Sequence, residues 1–170
     1  RHALDRGANI YAEINGFGST FVGGKNHSDD IRILRAERAM YDALEGAGVK
    51  KEDIDLVSAN ANGCKVQDKV EAKAIQSLFG INGNHIPISA IKSNVGESYG
   101  TSGAAQLIST TMSINTGIIP HITNHKEKDP EINLNLILEK PLKKEIQNAM
   151  INTMDYDGNN SCLVISRFGK

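Results

Sequence analysis

The sequence predicts an α/β fold on a mixed, mostly parallel five-stranded sheet. Two observations carry this. Strand-like segments alternate with segments whose apolar residues fall three or four apart, which is the order that builds parallel sheets. Two late strands joined by a tight polar turn then add an antiparallel hairpin. At 170 residues the chain has the length of one domain, and residues 1–170 are read as one.

Residues 8–22 read as the first strand. Ile10, Ala12 and Ile14 alternate with Tyr11, Glu13 and Asn15, a period of two, and Gly16, Gly18, Gly23 and Gly24 punctuate the segment. From 31 to 47 the period becomes helical, with Ile31, Leu34, Ala39, Met40, Ala43, Leu44 and Ala47 on one stripe. Ser28, Asp29 and Asp30 are its N-cap candidates, and Gly46 and Gly48 mark its end. Ile54, Leu56, Val57 and Ala59 form a short buried strand that runs into the polar loop 60–64. Asp68 with Glu71 fits a capping pair for the next helix, whose stripe is Val70, Ala74, Ile75 and Leu78, with Gly80 as its stop.

Ile86 to Ile91 is a third strand, followed by the loop 92–97. Residues 103–114 are apolar on most sides, so this helix is expected to be buried all round. Residues 123–145 read as polar and irregular, with a turn at Asp129-Pro130. Residues 149–154 and 161–165 are the closing hairpin. Sites in such sheets form at the carboxyl ends of the strands. Loops 60–64 and 92–97 lie there, and the connection 155–160 is a candidate to join them.

Composition excludes several function classes. Nineteen Lys and Arg against 20 Asp and Glu leave a net charge of -1, unlike a general nucleic-acid binder. No apolar run reaches the length of a membrane span. Aromatics are 5% and Trp is absent, so the core rests on aliphatic side chains. Two cysteines, Cys64 and Cys162, exclude a disulfide framework and make a reducing, cytoplasmic setting the expectation. No secretory signal is visible, and the start at Arg1 reads as a piece of a longer protein.

The residues with chemical potential are few. Lys92 follows a buried strand directly and can orient a carboxylate there, although spacing alone favours an amine that reaches back to solvent. Glu97 has the type and place of a general base, and capping or surface solvation competes for both it and Asp68. Cys64 has no histidine near it in the chain and reads as a quiet small residue. His121 and His125 lie four apart outside a helix, which implies no metal. Asp157-Gly158 and Asn159-Asn160 read first as turn residues, and Lys65 and Lys69 as solvated. No GxGxxG or GxxxxGK[ST] string is present.

Taken together, spaced strings carry a family resemblance. His2 to Ala8 leading to Ile10-Tyr-Ala-Glu13 is similar to "HAxxRGAxIYAE". Gly16-Phe-Gly-Ser19 follows, and Lys51 to Leu56 is similar to "xEDIDxV". Asp68-Lys-Val-Glu71 is similar to "DxxE", and Lys92-Ser with Gly96, Gly100 and Gly103-Ala-Ala105 to "KSxxGHxxGAAG". Ile119-Pro120 fits "VPP", and Asp129-Pro130 with 133–136 fits "DPxxxLNxV". Over nearly its whole length the chain resembles the C-terminal half of a β-ketoacyl synthase. The resemblance implies a thiolase-like half with helices on both faces of the sheet, acyl-transfer chemistry in fatty-acid or polyketide synthesis, an acyl carrier protein as partner, and no cofactor.

The departures fall on the chemistry. Counting back from Asp68, the histidine of "HGTxT" falls on Asn60, and the histidine of "GH" falls on Glu97, while the lysine is kept as Lys92. The "FGFGGTN" loop is here Met154-Asp-Tyr-Asp-Gly-Asn-Asn160, which retains Gly158 and Asn160. Decarboxylative condensation needs donors for a developing enolate, and an ionised Glu97 offers only acceptors. The family's cysteine nucleophile lies in the other half of the fold. The string 59–71 and Gly96-Glu-Ser-Tyr-Gly100 resemble the chain-length-factor, or ketosynthase-β, branch, whose members pair with an active ketosynthase. The resemblance thus implies a degenerate subunit in a heterodimer, with Asn60, Lys92 and Glu97 at the catalytic positions and Asn62, Met154, Tyr156, Gly158 and Asn160 lining the substrate pocket. An active enzyme with a variant site and an inactive excised domain are the alternatives. Alone, the chain is expected to self-associate through the apolar face of the helix at 103–114.

Overall fold

The computed structural model describes residues 1–23 and 27–169, with the side chains of 81–83 left aside. Of the glycines expected to punctuate the first strand, Gly24 lies outside the described residues. The elements run α1 (His2–Asp5), β1 (Glu13–Phe21), α2 (Asp29–Ala47), β2 (Leu56–Ser58), α3 (Lys65–Phe79), β3 (Pro87–Ser89), α4 (Lys92–Val95), α5 (Ser102–Thr116), β4 (Ile118–Ile119), β5 (Asn135–Leu136), β6 (Leu142–Lys143), β7 (Asn148–Met154) and β8 (Asn159–Ser166).

The main sheet has six strands in the order β1-β8-β7-β2-β3-β5, not five. The added strand, β5, lies in the segment read as irregular, and a second ladder pairs β4 with β6. Both are two-residue strands, too short to show a period. β2 runs parallel to β7 and β3, and β3 to β5, while β7, β8 and β1 are antiparallel neighbours.

Side chains alternate across this sheet and build two cores. Val57, Ile88, Met150, Cys162 and Val164 pack with α2 and α3 on one face. Leu56, Ala149, Ile151 and Ile165 pack with Ile114 of α5 on the other. Helices therefore cover both faces.

The first strand begins at Glu13, five residues after the start of the 8–22 segment read as a strand. Its register shifts between Ile14 and Gly16, so Ile14 is exposed and the buried positions are Gly16 and Gly18. These glycines lie under α2: a Cβ on Gly18 would stand 1.9 Å from the Ala39 carbonyl oxygen. In α2, Ala36, Ala39, Met40, Ala43 and Leu44 are buried, but Ile31 and Leu34 are exposed. Ser28 is the N-cap residue and Gly48 closes the helix at φ 64°.

Two helix expectations are overturned. α3 starts at Lys65, one turn before Asp68, so Asp68 and Glu71 are not its cap. α5 buries its polar side, with Ser102, Gln106, Thr110 and Ser113 inward, and leaves Ile108 65% exposed and Met112 49% exposed. Gln106 explains part of this inversion: its Nε2 donates to the Ala59 and Asn152 carbonyls at 2.9 Å each, joining two strand ends.

Candidate functional site

Because β2, β3 and β7 are parallel, their carboxyl ends meet. Asn60, Lys92 and residue 155 follow those ends within a few residues, which brings three distant loops together. The hairpin 155–159 does join them: Gln67 Nε2 donates to the Asp155 carbonyl at 2.8 Å.

Lys92 sits in the first turn of α4 and is 8% exposed, so the solvent-reaching reading is wrong. Its Nζ donates to Asn60 Oδ1 at 2.6 Å and to Glu97 Oε2 at 2.9 Å. Asn60 Oδ1 also accepts the Met154 amide at 3.1 Å. Glu97 Oε1 accepts the Tyr99 amide at 2.9 Å and the Ser102 hydroxyl. Glu97 is therefore neither a free base nor a solvated surface acid. Burial disfavours its charge, but Ser102 and Lys92 outweigh this and hold its carboxyl below the usual range.

Glu71 is the residue that sequence reasoning placed wrongly. From inside α3 its Oε1 accepts the Asn60 amide at 2.7 Å and its Oε2 the Ala61 amide at 2.9 Å. Asn152 Nδ2 donates to the same carboxylate at 3.3 Å. This grip fixes a turn in which Ala61 has φ 34°, a region that L residues avoid. Burial pushes the Glu71 carboxyl up, against the pull of the Ala61 and Asn60 amides. The "DxxE" string is the signal for this residue; its spacing suits a cap only for a helix that starts one turn later than α3 does.

Asp68 faces the same region. Burial pushes its carboxyl up, opposed by the amides of Gly63 and Asn62 and by Lys92. Its Oδ1 has no hydrogen-bond partner among the described residues. Asn62 donates to Gln67 Oε1 at 2.5 Å and accepts the Cys64 amide at 3.0 Å. Cys64 is the N-cap residue of α3, without a side-chain cap. Lys69 pairs with Glu131 at 2.8 Å rather than standing alone in solvent.

A cleft of about 1230 Å³ opens beside the triad formed by Asn60, Lys92 and Glu97, with Asn62, Asp68, Glu71, Lys92 and Glu97 among its lining. Asn60, Met154, Tyr156, Gly158 and Asn160 are not among that lining. Met154 reaches the triad through its backbone amide. Tyr156 is exposed. Gly158, at φ 98°, and Asn160 anchor the hairpin to β1: the Val22 amide donates to the Gly158 carbonyl, and Asn160 Nδ2 to Thr20 Oγ1. His121 and His125 lie in coil, and no group of metal-ligating side chains gathers among the described residues. No helix among them is long and apolar enough to cross a membrane.

Comparisons with known proteins agree with this architecture. Residues 11–126 match the family model described as beta-ketoacyl synthase, C-terminal domain. The chain is 31% identical to Nodulation protein E of Rhizobium meliloti over 98% of its length and 41% of that protein. It is 35% identical to 3-oxoacyl-acyl-carrier-protein synthase 2 of Mycobacterium bovis, over 98% of its length and 40% of that protein. Among solved structures it superposes on the ishigamide ketosynthase/chain length factor with a TM-score of 0.90 and 32% identity, covering 99% of this chain and 41% of that one. A beta-ketoacyl synthase from Burkholderia phymatum gives 0.89 and 30%, over 99% of this chain and 40% of that one. The chain thus spans about two-fifths of the length of these relatives. The match of residues 11–126 places the chain in the β-ketoacyl synthase family, as the C-terminal domain.

Proposed function

We infer that this domain belongs to a ketosynthase-like subunit that does not itself condense acyl groups. Its work is to pair with an active ketosynthase, to shape the pocket for the growing chain and to receive an acyl carrier protein. The observation that carries this reading is the closed state of Lys92, whose ammonium is bound by Asn60 Oδ1 and the Glu97 carboxylate. Decarboxylation of a malonyl thioester builds negative charge on its carbonyl oxygen, and catalysis needs N–H donors aimed there. Glu97 presents acceptors and a negative charge at that place, and Lys92 is largely neutralised by it. Loss of one donor of this kind costs about 10²–10³ in rate.

Asn62, Met154, Tyr156, Gly158 and Asn160 serve in this reading as walls of the pocket formed in the complete subunit. A solved relative described as a ketosynthase/chain length factor supports the choice of branch.

The test is malonyl-carrier decarboxylation by the full-length protein, purified with and without an active ketosynthase as partner. Activity in the pair alone is expected, together with full activity of the pair when Glu97 is changed to Gln. Activity of the subunit by itself, lost in Asn60→Ala or Lys92→Met, would mean that the variant site works and would overturn the reading.

A further inference from the structure

The cleft beside the triad has a wall that the active site does not explain. It is made by the segment between β4 and β5, from Ile122 to Leu134. One end of this segment is tied to α4. The Thr123 amide donates to Ser93 Oγ at 3.0 Å, Thr123 Oγ1 to the Ser93 carbonyl at 2.6 Å, and Asn124 Nδ2 to the same carbonyl at 3.2 Å. The other end is tied to α3 through Glu131, whose Oε1 accepts a hydrogen bond from Lys69 Nζ at 2.8 Å. Glu131 Oε2 lies 2.8 Å from Lys69 Nζ and 3.5 Å from Lys73 Nζ. Between these ties, residues 124–131 are all exposed.

The cleft's lining is mixed: Ala72, Ile75, Ile88 and Leu136, with Ile132 and Leu134 of the segment itself, are apolar, while Asp29, Lys65, Lys69, Glu127, Lys128 and Asp129 are charged. Toward the triad it turns polar. Asp68 Oδ1 is buried there without a partner among the described residues, and the Lys92 ammonium shows two of its three donors engaged. The apolar part of this lining, with a polar end at Asp68 and Lys92, suits a linear aliphatic molecule with a terminal oxygen function. The two ion pairs join α3 to the segment. Both are exposed, so each is weak and screened by salt.

We propose that residues 122–134 form a strap, latched by Lys69 and Lys73 on Glu131, that controls entry of aliphatic ligands into the cleft behind it. The Ser93 ties act as the hinge and the ion pairs as the catch. This inference is independent of whether the subunit condenses acyl groups.

The experiment uses the full-length protein carrying Ala72→Cys as a reporter on the cleft wall. Alkylation of position 72 by iodoacetamide is followed by mass spectrometry of the peptide that contains it. Rates are compared at about 0.01 M and about 1 M salt, which moves the screening length from about 30 Å to about 3 Å. The expected result is a low rate at low salt, raised about two- to tenfold by high salt, as for release of two exposed ion pairs. Glu131→Gln raises the low-salt rate to the same level and removes the salt dependence. Glu127→Gln, which removes the same charge from the same segment, leaves both unchanged. A dansyl-labelled undecanoic acid protects position 72 in the parent and in Glu131→Gln. Equal low-salt rates in the parent and Glu131→Gln, or the same response in Glu127→Gln, would overturn the latch. Alkylation unaffected by the fatty-acid probe would overturn the ligand class.

Discussion

Around the triad, burial acts on the carboxyl groups unequally, and pH separates them. Asp68 is pushed above its ordinary range, mainly by burial. At acid pH both the folded and unfolded chains carry its proton, so it contributes nothing. As pH rises past the unfolded value of about 3.9, the unfolded chain ionises first, and stability falls until the folded group ionises as well. Asp68→Asn removes this loss. Its stability relative to the parent is expected to rise from about pH 4 towards neutrality, as read by urea unfolding across pH. Glu97 is held low despite burial, by Ser102 and Lys92. Its stabilisation is present above the unfolded value of about 4.3 and disappears as pH falls through the lower folded value. The Glu97→Gln variant is therefore expected to lose stability at neutral pH and to match the parent in strong acid. Parallel pH profiles for the two variants would show that neither environment acts as described. Of these residues, the position of Lys92 after a buried strand was visible in the chain, but its burial was not. Burial depends on Asn60 and Glu97 folding over it from different loops.

The tightest element contact is between β1 and α2, and glycine makes it possible. A Cβ on Gly16 would lie 1.9 Å from the Ala43 carbonyl oxygen, and one on Gly18 the same distance from that of Ala39. Those contacts are with backbone, which cannot step aside. Gly18→Ala is expected to cost about 1–3 kcal/mol or more, as overpacking does. Gly46 lies inside α2 at the same interface, yet its nearest atom would be 3.8 Å away. Gly46→Ala is expected to add about 0.5–1 kcal/mol, because alanine loses less chain entropy in a helix. Thermal unfolding of both variants checks the contrast, and a similar cost for each would contradict the packing described. The sequence marked these glycines only as punctuation. Their role comes from α2 crossing the strand at close range.

At the scale of the molecule, the exposed apolar surface is the main feature. Ile108 and Met112 of α5 point outward, and Ile14, Phe17 and Phe21 of β1 are exposed as well. Large apolar surfaces of this kind mark interaction sites. The 170-residue chain by itself is expected to self-associate, and Ile108→Lys with Met112→Lys to return it to a monomer. Light scattering across concentration reads this directly. A monomer at high concentration in the unsubstituted chain would show that the face needs no cover. The sequence placed an unusually apolar helix here but pointed to burial on all sides. Periodicity could not show that Gln106 and Thr110, rather than Ile108, would face the sheet.

The sequence by itself determined the alternation of strands and helices, the family and the positions where the chemistry departs from it. These are local patterns: a period of two or of three to four, a spaced motif, a histidine position holding Asn60 or Glu97. Tertiary structure alone decided what those residues do to one another. Asn60 and Lys92 are 32 positions apart, yet their side chains meet at 2.6 Å. Glu71 grips the Asn60 turn from a helix whose start the motif did not reveal, and the strap is held by ion pairs across more than 55 positions of chain. Contacts of this range depend on how the elements pack, the first two on parallel strands bringing their ends together, and no local pattern records them.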